Sequence, residues 1–190
     1  MSLVNLTING KAVSVPSGTK ILEAAKQVGV KIPSLCQMKI DEIGFTNECA
    51  SCRVCMVSAG RKLVPACGTM VKEGMVVNTN TPEALKYRKN VVELLLSDHP
   101  QDCYTCAKSG KCELQDLAAD MGIRKIRFKG EQSTSPIDTS SYSIVKDNDK
   151  CILCRRCETM CTEVQTVGVL SGVNRGFNTE IGRASCRERV

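Results

Sequence analysis

Cys151-Ile152-Leu153-Cys154-Arg155-Arg156-Cys157-Glu158-Thr159-Met160-Cys161 places four cysteines in eleven residues, separated by gaps of two, two and three. Four thiolates this close along one segment can wrap a cubane 4Fe–4S cluster. A fold stapled in this way takes part of its stability from the metal rather than from a large apolar core. The rest of the chain has the matching composition. Thirteen cysteines stand among 190 residues, while aromatics amount to 3% and there is no Trp. Aromatic side chains bury the most apolar area, so a chain this poor in them reads as several small, stapled modules. The opening Met1-Ser2-Leu3-Val4-Asn5 lacks the basic start and apolar stretch of a secretory leader. The densest apolar run, Val91 to Leu96, contains Glu93 and is far too short to span a membrane. A cytoplasmic location without membrane insertion is therefore expected. That compartment and the odd cysteine count favour metal or redox chemistry over disulfides.

Two further groups lie upstream. Cys103, Cys106 and Cys112 follow the chain's single histidine, His99, as a one-His, three-Cys set. A lone histidine is more often structural, but its place directly before a cysteine trio reverses that expectation. The first group comprises Cys36, Cys49, Cys52, Cys55 and Cys67. One remote cysteine, a close pair and another remote one is similar to plant-type 2Fe–2S binding, although the gaps differ. Cys49-Ala50-Ser51-Cys52 and Cys52-Arg53-Val54-Cys55 share a two-residue gap, so spacing leaves the binding pair open, and zinc ribbons use the same gap. The net charge of +6 would ordinarily raise nucleic acid as a partner. Clusters held on thiolates are negative and offset it, so no nucleic acid is expected.

The expected fold class is α+β. Residues 1–80 read as a small mixed sheet: Val4, Leu6 and Ile8 alternate, Asn9-Gly10 is a hairpin turn, and Ala12-Val13-Ser14-Val15 returns. Thr19 is placed to cap a short helix through Ile21, Leu22, Ala25 and Val28, ended by Gly29. Val54-Cys55-Met56-Val57, Lys62-Leu63-Val64 and Met75-Val76-Val77 supply later strands, completing a β-grasp outline. Residues 81–122 form a small helical unit. Thr81-Pro82-Glu83 opens its long helix, and Leu85, Arg88 (by its stem), Val92, Leu95 and Leu96 give that helix an inner face; Pro100 stops it. A short helix follows from Cys112 to Met121. Residues 123–143, rich in Ser and Thr toward the end, read as a linker, and 144–180 as a partial ferredoxin-type domain. The last ten residues, 181–190, read as a translated sequencing adapter: a non-native tail, with Cys186 an accident and the natural protein continuing past it.

The order and wording of these sites resemble the N-terminal iron–sulfur region of iron-only (FeFe) hydrogenase large subunits, of the NADP-reducing or electron-bifurcating type. The related large iron–sulfur subunit of complex I is similar too. The phrases that carry the resemblance are Cys52-Arg53-Val54-Cys55-Met56-Val57, His99 to Cys112 with Glu113-Leu114-Gln115, Cys151 to Cys157, Val164-Gln165-Thr166-Val167-Gly168, and Asn174-Arg175-Gly176-Phe177. Thr162 departs from the ferredoxin run, which has Pro there. The resemblance implies that Cys36, Cys52, Cys55 and Cys67 hold a 2Fe–2S cluster, with Cys49 a spectator. It implies a 4Fe–4S cluster on His99, Cys103, Cys106 and Cys112. It also implies a ferredoxin-type 4Fe–4S site at Cys151, Cys154, Cys157 and Cys161, with Cys161 reaching a neighbouring cluster.

The function so implied is an electron relay, the electron-input region of an iron-only hydrogenase whose catalytic domain lies outside these residues. Redox partners would be a ferredoxin or an NAD(P)H-oxidising flavoprotein subunit. The Arg155-Arg156 pair and the Val164 to Gly168 wording lean toward hydrogenase. The alternative is a complex I-type NADH:quinone oxidoreductase subunit, and the second alternative a zinc-stapled binding module. No nucleophile–base pair, Walker loop or dinucleotide fingerprint stands out, so no catalytic site is expected within the chain.

Overall fold

The computed structural model describes residues 2–48 and 50–183. Cys49, expected to be a spectator, lies outside the described residues, as do Cys186 and the tail from residue 184.

Strands β1 (Leu3–Ile8) and β2 (Lys11–Pro16) pair antiparallel, Leu6 opposite Val13. Asn9 and Gly10 turn between them at φ of 49° and 81°, the doubly left-handed turn whose twist suits a hairpin. Helix α1 (Ile21–Gln27) buries Ile21, Leu22, Ala24 and Ala25. At its end Gly29 takes φ of 73°, and the Val30 and Gly29 amides donate to Ala25 O and Lys26 O at 2.9 and 3.1 Å, satisfying the last carbonyls. Its start differs from expectation. Lys20 holds the cap position without a side-chain bond, and Thr19, one residue too early, donates its hydroxyl to Pro16 O at 2.7 Å.

A two-stranded ribbon, β3 (Lys39–Ile40) with β4 (Phe45–Thr46), precedes β5 (Met56–Ala59), β6 (Lys62–Pro65) and β7 (Met75–Asn78). The main sheet is mixed and open, in the order β2-β1-β7-β5-β6. Its last strand in sequence, β7, lies in the middle, parallel to β1 and antiparallel to β5. Leu6, Ile8, Val15, Val57 and Val77 pack with α1 as the core, each buried aliphatic contributing about 1.5–3 kcal/mol. Val54 and Cys55, expected within β5, instead precede it. Arg53 at φ of 56° turns the chain there, so extended pairing begins at Met56.

Helix α2 (Pro82–Ser97) starts as expected: Thr81 accepts from the Ala84 amide at 3.3 Å and Pro82 occupies the first turn. Such a cap is worth about 1 kcal/mol. Its buried residues are Ala84, Arg88, Val92 and Glu93. Leu85 is 48% exposed, because the inner row of positions four apart runs 84, 88, 92. Helix α3 (Glu113–Asp120) follows.

Residues 123–143 are irregular, but they are pinned rather than a free linker. Arg127 Nε donates to both Glu93 oxygens at 3.0 and 2.9 Å. The Ser133 amide and hydroxyl donate to the Asp98 carboxylate at 2.6 and 2.9 Å. Helix α4 (Arg156–Thr159) then runs into a π-type turn, Met160–Val164, and β8 (Leu170–Val173) pairs with β9 (Glu180–Arg183). Residues 181–183, expected to open a non-native tail, complete β9. Ile181 is buried and pairs with Gly172, which gives the segment a structural reason to be ordered. Among the described residues, no helix is long and apolar enough to cross a membrane.

Candidate metal centres

The main sheet gathers four cysteines of the first group. Cys36 sits on the loop after α1, Cys52 and Cys55 on the turn entering β5, and Cys67 on the turn leaving β6; all four are buried. Buried Asn47 fixes the Cys36 loop by donating to Cys36 O and accepting from the Met38 amide, both at 2.8 Å. The Ala66 amide donates to Cys55 O at 3.1 Å, tying the two turns together.

The thiols are in hydrogen-bond reach of one another. Cys52, Cys67 and the Ser51 hydroxyl donate to Cys36, holding its thiol far below the ordinary range. Cys67 also donates to Cys55, which is lowered as well. Cys52 and Cys67 are pushed up, foremost because they give their hydrogens to Cys36, Cys67 next by its bond to Cys55, and both then by burial. Backbone amides at Cys52, Val54, Ala66 and Cys67 add donors around the sulfurs. Among the described residues, no three His, Cys, Asp or Glu side chains converge on a point suited to a single metal ion. Four buried thiols ringed by amide donors do fit a two-iron cluster, which takes four cysteines. Non-glycine Arg53, left-handed between Cys52 and Cys55, makes the amide-lined concavity found at such sites.

The second set is arranged more loosely. His99 follows α2 and is half-buried; burial pushes its imidazole down, against the opposing pull of Asp102. A neutral ring is what metal ligation requires. Cys103, Cys106 and Cys112 are half-buried between α2 and α3, and the Lys108 amide donates to Cys106 Sγ at 3.5 Å. In the third set Cys151 and Cys157 are exposed, Cys154 is half-buried and Cys161 is buried in the π-type turn. Leu153 and Arg155 are left-handed at φ of 52° and 60°, repeating the backbone device of Arg53.

The three sets meet. A cavity of about 300 Å³ is lined by Cys52, His99 and Cys151, one residue from each, with Tyr87, Val91 and Leu95 of α2 between them. The Ser51 hydroxyl donates to Cys154 O at 3.3 Å. Lys150–Asp102 at 3.0 Å and Arg156–Glu113 at 2.9 Å clamp the third segment onto the second. Spacing along the chain carries no sign of these contacts. Arg88 contributes more than the stem expected of it. Its whole side chain is buried, its Nε donates to Met56 O at 2.8 Å, and its Nη2 is buried without a hydrogen-bond partner among the described residues. A cation in the row between Ala84 and Val92 is the signal of this in the sequence.

Comparison with known proteins agrees on the chemistry. The family described as "2Fe-2S iron-sulfur cluster binding domain" matches residues 2–82, and "NADH-ubiquinone oxidoreductase-G iron-sulfur binding region" matches 88–127. The chain therefore contains a 2Fe–2S and, in tandem, a 4Fe–4S binding domain, as the cofactor reading expected. It is 52% identical to "NADP-reducing hydrogenase subunit HndD" of Solidesulfovibrio fructosivorans, over 97% of this chain and 32% of that one. It is 38% identical to "NADH-ubiquinone oxidoreductase 75 kDa subunit" of Reclinomonas americana, over 94% of this chain and 26% of that one. The chain thus spans a third or less of these relatives' length. Among solved structures, an NAD+-reducing [NiFe]-hydrogenase matches at a TM-score of 0.86 and 26% identity, over 97% of this chain and 76% of that one.

The expectation of an iron-only hydrogenase is corrected by these matches. The solved hydrogenase is of the [NiFe] kind, and NADH-ubiquinone oxidoreductase proteins match over nearly the same span, which favours the complex I-type alternative. The physical reason is that the quoted phrases surround relay sites. Arg156 pairs with Glu113 and the Val167 and Gly168 amides donate to Cys161 O, local contacts that carry no mark of a hydrogen-activating metal.

Proposed function

We propose that this chain is the electron-relay segment of a large iron–sulfur subunit of the complex I or [NiFe]-hydrogenase kind. The observation that carries it is the gathering of Cys36, Cys52, Cys55 and Cys67 as four buried, amide-ringed thiols in one small sheet. These residues would hold the 2Fe–2S cluster, with Cys49 a spectator, in a β-grasp unit of residues 1–80. His99, Cys103, Cys106 and Cys112 would hold a 4Fe–4S cluster in residues 81–122. Cys151, Cys154 and Cys157 would hold a second one in residues 144–180, with Cys161, buried apart from the exposed Cys151 and Cys157, turned to a neighbouring cluster. When bound, the clusters supply one-electron storage.

The chain's own part is positional. It buries the sulfurs of the first set, aims amides at them, and brings one residue of each set to a shared cavity, so that an electron would pass from set to set through it. Partners would be an NAD(P)H-oxidising flavoprotein subunit or a ferredoxin, in the cytoplasm.

Anaerobic reconstitution with iron and sulfide tests the reading. The expected product is brown, with a reduced 2Fe–2S EPR signal at low microwave power and faster-relaxing 4Fe–4S signals. A colourless protein that takes up zinc alone would overturn it.

A further inference from the structure

We propose that Arg88 sets the reduction potential of the 2Fe–2S site by holding a fixed, buried positive charge beside Cys55. The inference rests on the reading of Cys55 as a ligand of that site. Arg88 is 4% exposed, flanked along α2 by fully buried Ala84 and Val92. Its Nε donates to Met56 O at 2.8 Å, so the guanidinium is anchored to the residue next to Cys55. Its Nη2 is buried and finds no hydrogen-bond partner among the described residues.

A guanidinium keeps its proton at any working pH, and a buried charge without a counter-charge is unfavourable. Glu93, the buried acid on the same helix, is already engaged by Arg127. Among the described residues, the thiol whose negative form would offset the burial of Arg88 is that of Cys55, next in the chain to the Met56 carbonyl that anchors the guanidinium. A cluster on four thiolates is negative, and each electron it accepts makes it more so. Attraction to Arg88 therefore grows on reduction, which favours the reduced form. The competing explanation is mechanical: Arg88 only pins α2 to β5 through the Met56 carbonyl.

Redox titration of the 2Fe–2S EPR signal separates the two. Arg88→Met removes the charge and leaves an apolar side chain of similar length in the buried row between Ala84 and Val92. The expected result is at least a tenfold shift toward the oxidised cluster at a given potential, about 59 mV downward for a one-electron couple. Arg88→Lys should recover most of that shift, and exposed Lys89→Gln should leave the potential unchanged. A Met variant that folds but takes no cluster, while the Lys variant does, also supports the charge role. A Met variant that keeps the wild-type potential and changes only in thermal stability overturns the proposal. So does failure of both Met and Lys variants to fold or load. Absence of any 2Fe–2S signal from the wild-type protein is a different failure, which defeats the site reading itself and this proposal with it.

Discussion

Arg53, Leu153 and Arg155 each adopt positive φ inside a gap between cysteines. The left-handed region costs a non-glycine residue about 1–2 kcal/mol, so three such residues, all between proposed ligands, locate the backbone concavities that a bound anionic group would stabilise. The gap between Cys52 and Cys55 has this turn and opens directly into β5. On that ground Cys52→Ser should abolish the reduced 2Fe–2S EPR signal, and Cys49→Ser should preserve it; the opposite pattern would reassign the pair. His99 gives a second prediction at this scale. Burial lowers its imidazole from the ordinary range, so the ring stays neutral at neutral pH, and iron uptake at this site should fail only in acid, where the ring is protonated. In His99→Cys a retained cluster gains a thiolate's negative charge. Its potential should fall, and an identical potential and spectrum would remove His99 from the ligand set. The spacing of cysteines made these residues visible in the sequence, because ligands of one cluster must lie close together. Arg88 was not visible in that way: its stem suits an apolar face, and only packing shows where its charge goes.

Helix α2 organises the middle of the chain, and both its ends were legible because the signals are local: Thr81-Pro82 at the start and Pro100 beyond the end. Its inner row was legible only in part, since pattern weighed Leu85 by hydrophobicity while the sheet accepts Ala84. The pairing of Glu93 with Arg127 spans 34 residues and leaves no local mark; Glu93 read simply as an interruption in an apolar run. The Arg127 hydrogen bonds hold the Glu93 carboxyl below the ordinary glutamate value. The folded state therefore binds that proton less readily than the unfolded chain. The stabilisation is present above about pH 4.3, the unperturbed value, and is lost as pH falls through the lowered one. Glu93→Gln should thus unfold more readily than the wild type at neutral pH, with the difference closing in acid. Denaturation midpoints measured across pH check this, and a pH-independent difference would mean that Arg127 acts by packing alone.

At the scale of the whole molecule, the three cysteine sets differ in how completely the chain encloses them. Cys36, Cys52, Cys55 and Cys67 of the first are buried, the second is half-buried, and the third places Cys151 and Cys157 in solvent with Cys161 buried. A polypeptide of these 190 residues should therefore fill the first two sites and hold the third incompletely, giving roughly six to nine iron atoms per chain against about ten for three filled sites. Amide exchange should be fastest across residues 144–180. A stable count near ten with two separate 4Fe–4S signals would show that Cys161 closes its own cluster. The count of three sets was legible in sequence, but their convergence on one cavity was not, because the contacts that accompany it, Ser51 to Cys154 O, Ile152 against the core, and the Lys150–Asp102 and Arg156–Glu113 pairs, join residues far apart in the chain. The sheet order also bears on how the protein is made. Within the sheet, strand β7 joins the β1–β2 hairpin to the β5–β6 hairpin, and it is the last of the five to leave the ribosome. Each hairpin can close on its own as it emerges, and before Asn78 is out the two halves meet through the start of α1, where the Leu22 and Ile21 amides donate to Ala66 O and Thr69 O at 3.0 and 2.9 Å. During that interval all five cysteines of the first group have been synthesised while the central strand of their sheet is still missing.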